Sequence, residues 1–118
     1  MKERSRIVGL IYYASSQAAP ATAWRPPMDI YRTKNGWLLK FELAGVELED
    51  IHVYAHERTL TVSGVRRDTV LEPGASYYSM EIPYNRFERA VELPCDLEAA
   101  HLEAECRNGI LLIRVITE

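Results

Sequence analysis

The chain has 118 residues and a formal net charge of −3, with 47% apolar and 26% charged residues. That length suits one domain around one core, and the balance is that of an ordinary globular protein. There is no basic stripe of the kind a nucleic-acid binder shows, and no apolar run approaches the roughly 20 residues that span a bilayer, so neither nucleic acid nor stable membrane insertion is expected.

Residues 1–27 read as an N-terminal arm. "MKERSR" is basic, "IVGLIYYA" is apolar, and "SSQAAPATAWRPP" is rich in Ala, Ser and Pro without a sustained period. The order loosely imitates a signal peptide, but Glu3 interrupts the basic part and two tyrosines interrupt the apolar part. A cytoplasmic chain with a short sticky arm is the expectation, and Ile7, Val8, Leu10, Ile11, Tyr12 and Tyr13 are its candidate contacts to other protein segments or to other copies of the chain.

From Met28 the pattern has period two. "MDIYRT" is a candidate edge strand, and Asn35-Gly36 within "KNG" is a turn signal because both residues tolerate positive φ. "WLLKFEL" then sets Trp37, Leu39, Phe41 and Leu43 on one face. "IHVYAH" sets Ile51, Val53 and Ala55 against His52, Tyr54 and His56. "TLTVSG" sets Leu60 and Val62 against Thr59, Thr61 and Ser63, and the β-branched content supports strands.

Residues 65–86 break the rhythm. "RRDTVLEPGA" is a polar connection with a Pro-Gly turn, and "SYYSMEI" is an isolated strand candidate closed by Pro83. A connection of that length inside a compact domain is usually functional or disordered. "RFERAVEL" resumes the alternation, with Arg89 on the same side as Phe87, Val91 and Leu93. "LEAEC", the turn Asn108-Gly109 and "ILLIRV" form a closing hairpin, with Leu111, Ile113 and Val115 expected inward. About eight short strands with turn signals between them, and no long helix, give an all-β two-sheet sandwich.

The segments "PPMDIYRT…FELAGVELEDIHVYAHERTLTVSG", "YNRFERAVELP" and "AECRNGILLIRV" closely resemble the α-crystallin domain of small heat-shock proteins (the Hsp20 family) of the bacterial type. The spacing Ala104-x-x-x-Asn108-Gly109-x-Leu111 is the most specific element. The resemblance implies an immunoglobulin-like β-sandwich over residues 28–118 and an ATP-independent holdase that binds unfolding client proteins. It also implies a homodimer made by exchanging the strand at about Tyr77 to Ile82, or a small oligomer. The dimer-interface candidates are then Tyr77, Tyr78, Met80, Ile82 and Arg89. A client or peptide groove is expected between "IHVYAH" and "LEAEC", lined by Ile51, Val53, Ala55, Leu102 and Ala104. Leu43-Ala44-Gly45 stands where the family usually has Leu-Pro-Gly, and Glu81-Ile82 where it often has Glu-Arg. The chain ends on "VITE" at Glu118, so no C-terminal extension with an Ile-x-Ile-type motif is expected.

The alternative is a co-chaperone-type sandwich that docks on a folded partner; that class lacks the long exchange loop and the Ala-Asn-Gly-Leu spacing. Neither an enzyme nor a metal or cofactor site is expected. There is no phosphate loop, GxSxG or HExxH, and His52 and His56, four apart on one strand, stand roughly 13 Å from each other. Cys95 and Cys106 read as reduced thiols.

Overall fold

The structure, a computed structural model, describes residues 23–68 and 72–117 in full, and Arg4–Arg6 and Ile11–Tyr13 as backbone. The described strands are β1 (Arg4–Arg6), β2 (Ile11–Tyr13), β3 (Met28–Thr33), β4 (Gly36–Glu42), β5 (Ile51–His56), β6 (Thr59–Arg66), β7 (Asn85–Glu92), β8 (His101–Arg107) and β9 (Ile110–Ile116). They form two sheets, ordered β1-β8-β9-β4-β3 and β2-β5-β6-β7. All pairings are antiparallel except β2 on β5. The expected all-β sandwich is therefore present.

The period-two segments place the core. Leu39 and Phe41 of β4 and Leu111, Ile113 and Val115 of β9 are buried, and so are Ile51, Val53 and Ala55 of β5 and Leu60 and Val62 of β6. Each of the Leu, Ile, Val and Phe side chains among them contributes about 1.5–3 kcal/mol relative to exposure, so the facing rows of the two sheets supply a large share of the stability. Leu97, in the irregular stretch between β7 and β8, is also fully buried, and nothing in the local pattern marks it.

Two turns contrast. Asn108 and Gly109 have φ of 54° and 82°, the paired positive values of a tight primed hairpin. The β3–β4 turn sits one residue earlier than expected. Its central residues are Lys34 and Asn35, neither with positive φ, and Gly36 already belongs to β4. Glycine is required there because a Cβ would strike the Val115 carbonyl of the neighbouring strand.

The long connection is also shorter at both ends than expected. β6 runs through Val65 to Arg66, and β7 begins at Asn85. Two of the strands, β1 and β2, fall within the segment read as an arm without regular period.

Candidate functional site

Among the described residues of the single chain, Tyr77–Ile82, the segment expected to be exchanged, pairs with no sheet. Its residues are open: Tyr77, Tyr78, Met80 and Ile82 are 74%, 102%, 51% and 60% exposed. A strand exists only when its backbone groups find a neighbour, and the segment pairs with no described sheet edge of its own chain. Four large apolar side chains on one solvated tether form the kind of surface that marks an interaction site.

The base of this tether is fixed. Arg66, at the end of β6, donates from Nε to the Pro83 carbonyl at 3.0 Å and from Nη1 to the Ala44 carbonyl at 2.9 Å. Its guanidinium lies 4.3 Å from the Trp24 ring centroid and 5.9 Å from that of Tyr84. One buried cation therefore joins both ends of the connection to the Leu43–Gly45 turn and to the end of the arm. Arg67 adds a two-pronged contact to Asp50, Nε to Oδ2 at 3.0 Å and Nη2 to Oδ1 at 3.2 Å. That hydrogen bond, with the adjacent positive charge, holds the Asp50 carboxyl below its usual range.

Two sheet edges matter beside the tether. Among the described residues β3 pairs with β4 on one side only, and every residue from Asp29 to Thr33 is exposed. The edge of β7 is different. Trp24 bridges to Phe87 there, with Trp24 N–H donating to Arg86 O at 3.1 Å and Glu88 N–H to Trp24 O at 3.0 Å. The Trp24 and Phe87 rings pack at 5.4 Å.

Arg89 lies on β7, and its Nη1 donates to the Pro26 carbonyl at 3.0 Å. Its Nε is buried without a hydrogen-bond partner among the described residues. The side chain is thus tied to its own chain, two residues before β3 begins.

The expected groove residues are inside. Ile51, Val53, Ala55, Leu102 and Ala104 are all buried, on the faces of β5 and β8 that look into the sandwich. They offer no open surface in this conformation. What β5 and β8 present outward are their main-chain edges, and the arm lies on both. β1 runs antiparallel to β8, with Arg4, Ser5 and Arg6 opposite Arg107, Cys106 and Glu105. β2 runs parallel to β5, with Ile11, Tyr12 and Tyr13 opposite Val53, Tyr54 and Ala55. Ile7, Val8 and Leu10 lie outside the described residues.

Glu105, which strand alternation sets on the face opposite Leu102 and Ala104, is only 3% exposed. A buried carboxylate needs compensating partners, and Arg107 supplies one through Nη2 at 2.9 Å. Cys106 beside it is half-buried, and that burial pushes its thiol up to about 11. Both cysteines are free thiols. Among the described residues no group of three or more His, Cys, Asp or Glu could hold a metal ion, and no helix is long and apolar enough to cross a membrane.

Comparison with known proteins matches residues 29–118 to the Hsp20/alpha crystallin family. Small heat shock protein C2 of Rickettsia felis is 31% identical over 90 residues, 76% of this chain and 58% of that protein. Spore protein SP21 of Stigmatella aurantiaca is 29% identical over 102 residues, 86% of this chain and 59% of that protein. The chain thus spans less than two thirds of these relatives. Among solved structures, heat shock protein 16.0 from Schizosaccharomyces pombe superposes with a TM-score of 0.70 at 27% identity, covering 79% of this chain and 86% of that one. The hspA of Xanthomonas axonopodis gives 0.68 at 27% identity, covering 82% and 97%.

Proposed function

The chain belongs to the Hsp20/α-crystallin family, and from that premise we propose that it is an ATP-independent holdase, which binds unfolding proteins and slows their aggregation without a catalytic step. The observation that carries this reading is the tether at Tyr77–Ile82, an exposed apolar segment with no sheet partner among the described residues of its own chain. The building block is a homodimer in which each tether pairs with the other subunit's β3. Three features support it. The outer β3 edge is unpaired among the described residues, and it is exposed. It is six residues long, the length of Tyr77–Ile82. The edge at the opposite end of the other sheet is already covered by Trp24. Strand addition to an open edge supplies main-chain hydrogen bonds that the tether lacks alone.

Arg89 serves this dimer indirectly. By holding Pro26 it sets where β3 starts, and so where the acceptor edge lies. Two free thiols fit a reducing compartment, so a cytoplasmic location belongs to the same proposal.

The test is heat aggregation of a labile model enzyme without nucleotide, run beside mass in solution. The full chain at near-equimolar ratio suppresses light scattering, and nucleotide changes nothing. The pair Tyr78→Pro and Met80→Pro, which removes amides from the exchanged segment, lowers the mass. Unchanged aggregation across the range ends the holdase reading. A monomer that saturates one folded partner at fixed stoichiometry points to a docking module instead.

A further inference from the structure

The tether enters β7 through Asn85, whose φ of 75° lies in the left-handed region. Asparagine tolerates that conformation better than most residues, and the direction in which the tether leaves β7 depends on this one unusual dihedral. Trp24 grips the position from outside β7. Its indole N–H donates to Asn85 O at 3.3 Å, its main-chain N–H to Arg86 O at 3.1 Å, and its carbonyl accepts from Glu88 N–H at 3.0 Å. Arg66 grips the residues just before it, donating to Pro83 O and setting its guanidinium against the Trp24 and Tyr84 rings.

The same short piece of chain then runs to the edge proposed to receive the partner's tether. Pro26 is buried, and its carbonyl accepts from Arg89 Nη1 at 3.0 Å. Pro27 O accepts from Glu42 N–H at 3.0 Å. β3 begins at the next residue, Met28. Two consecutive prolines each hold φ near −65°, and a residue before proline is restricted as well. Residues 24–27 therefore have little freedom to flex between the grip on Asn85 and the start of β3.

From this arrangement we infer that residues 24–27 are a positioning strap for strand exchange: Trp24 fixes the aim of the donated tether at Asn85, and Pro26 and Pro27 fix the edge that receives it. The inference rests on the exchange-dimer reading and adds that the segment ahead of β3 governs assembly without touching the partner. In a symmetric dimer each subunit is both donor and acceptor, so one stiff link between the two sites serves both halves of the exchange. Loosening Trp24 widens the set of directions that the free tether samples, and ordering that wider set opposes association. Trp24 and Arg66 are thus positioning residues.

The test is Trp24→Leu in the full chain, which removes the indole N–H and the ring beside Arg66 but keeps an apolar side chain and the main-chain bonds of the strap. Mass in solution over a dilution series should show the dimer dissociating at a concentration at least about fivefold higher than for the parent chain, the lower end of an ordinary coupling between sites. Trp24→Phe, which keeps a ring against Phe87 and Arg66, should fall between the two. Deuterium exchange separates lost aim from lost stability: it should rise across residues 84–88 and stay unchanged along β9. In an Arg66→Met background Trp24→Leu should weaken the dimer by less than it does alone, because both residues hold the same hinge. An unchanged dissociation midpoint overturns the inference. So does a weaker dimer with protection lost equally along β9, and so do fully additive effects of the two substitutions. If the parent chain is a monomer throughout the series, the dimer reading falls, and exchange alone judges the strap: added uptake confined to 84–88 upholds it as the hold on the hinge, and none there ends it.

Discussion

Arg66 and Pro83 are seventeen residues apart in sequence and joined by a 3.0 Å hydrogen bond across the mouth of the long connection. The same guanidinium satisfies Ala44, so its loss strands two carbonyls beside a buried site. Hydrogen bonds to a charged group contribute about 1.5–3 kcal/mol each, and stranded acceptors cost more than the mean. Arg66→Met should lower stability by about 2–3 kcal/mol and the melting temperature by roughly 10 °C. Thermal and urea unfolding check it. A shift below about 0.5 kcal/mol, the usual bound for uncoupled surface changes, would show that the guanidinium is not what closes the loop.

Gly64 and Gly74 make a matched pair of alanine substitutions. A Cβ on Gly64 would meet the Asp50 carbonyl and lie 2.7 Å from Phe87 Cζ, so β5 and β6 would have to part where Ile51 faces Gly64. Gly74 has open space around it and a φ of 83°. Gly64→Ala should cost about 3 kcal/mol or more through overpacking. Gly74→Ala should cost about 1 kcal/mol through backbone strain alone. Urea midpoints rank the two, and equal costs would discredit the close-approach argument.

The Asp50–Arg67 contact gives stability a pH signature. Its carboxyl titrates lower in the folded chain than in the unfolded one. Folding therefore favours the ionised form. The contribution is fully present above the unfolded value, near pH 4, and is lost as pH falls through the lowered folded value. Asp50→Asn should reduce stability at neutral pH, and the gap to the parent chain should close on acidification below about pH 4. Arg67 is largely exposed, so added salt should narrow the gap as well. A gap that widens in acid would reverse the assignment.

The two thiols should separate in alkylation. Burial raises both, Cys106 to about 11 and Cys95 by less. Only the thiolate reacts, so at pH 8 Cys106 should be alkylated on the order of 100-fold more slowly than a free thiol. Cys95 should react first. Iodoacetamide labelling followed by mass spectrometry reads this, and denaturant should equalise the two sites.

How much was legible depended on how far apart the causes lie along the chain. β5, β6 and β9 could be read because side-chain alternation is local: burial follows it residue by residue in β5, while in β6 and β9 the expected inward residues are buried and Thr61, Arg66 and Leu112 are buried besides. The Asn108-Gly109 hairpin could be read for the same reason. Arg66 could not, because its partners lie 17 and 22 residues away and nothing in "SGVRRD" points to them. The arm strands escaped because three residues carry no period. Tyr77–Ile82 has the composition of a strand, yet strand conformation belongs to a pair of segments, and the sequence of one chain does not say where the second is. The groove residues show the opposite limit. Their alternation was read correctly, but the face it creates looks inward, and the outward feature of β5 and β8 is main chain, which side-chain pattern does not describe.

The placement of the two tryptophans gives the protein its own optical reporters. Trp24 sits against Phe87 and beneath the Arg66 cation at the root of the arm. Trp37 lies under Arg32, which belongs to β3, with the guanidinium carbon 4.8 Å from its ring centroid. The emission of the first should follow events at the loop base, and that of the second events along the β3 edge. With one tryptophan replaced by phenylalanine at a time, label-free fluorescence during heating can tell whether the two ends loosen together or in sequence.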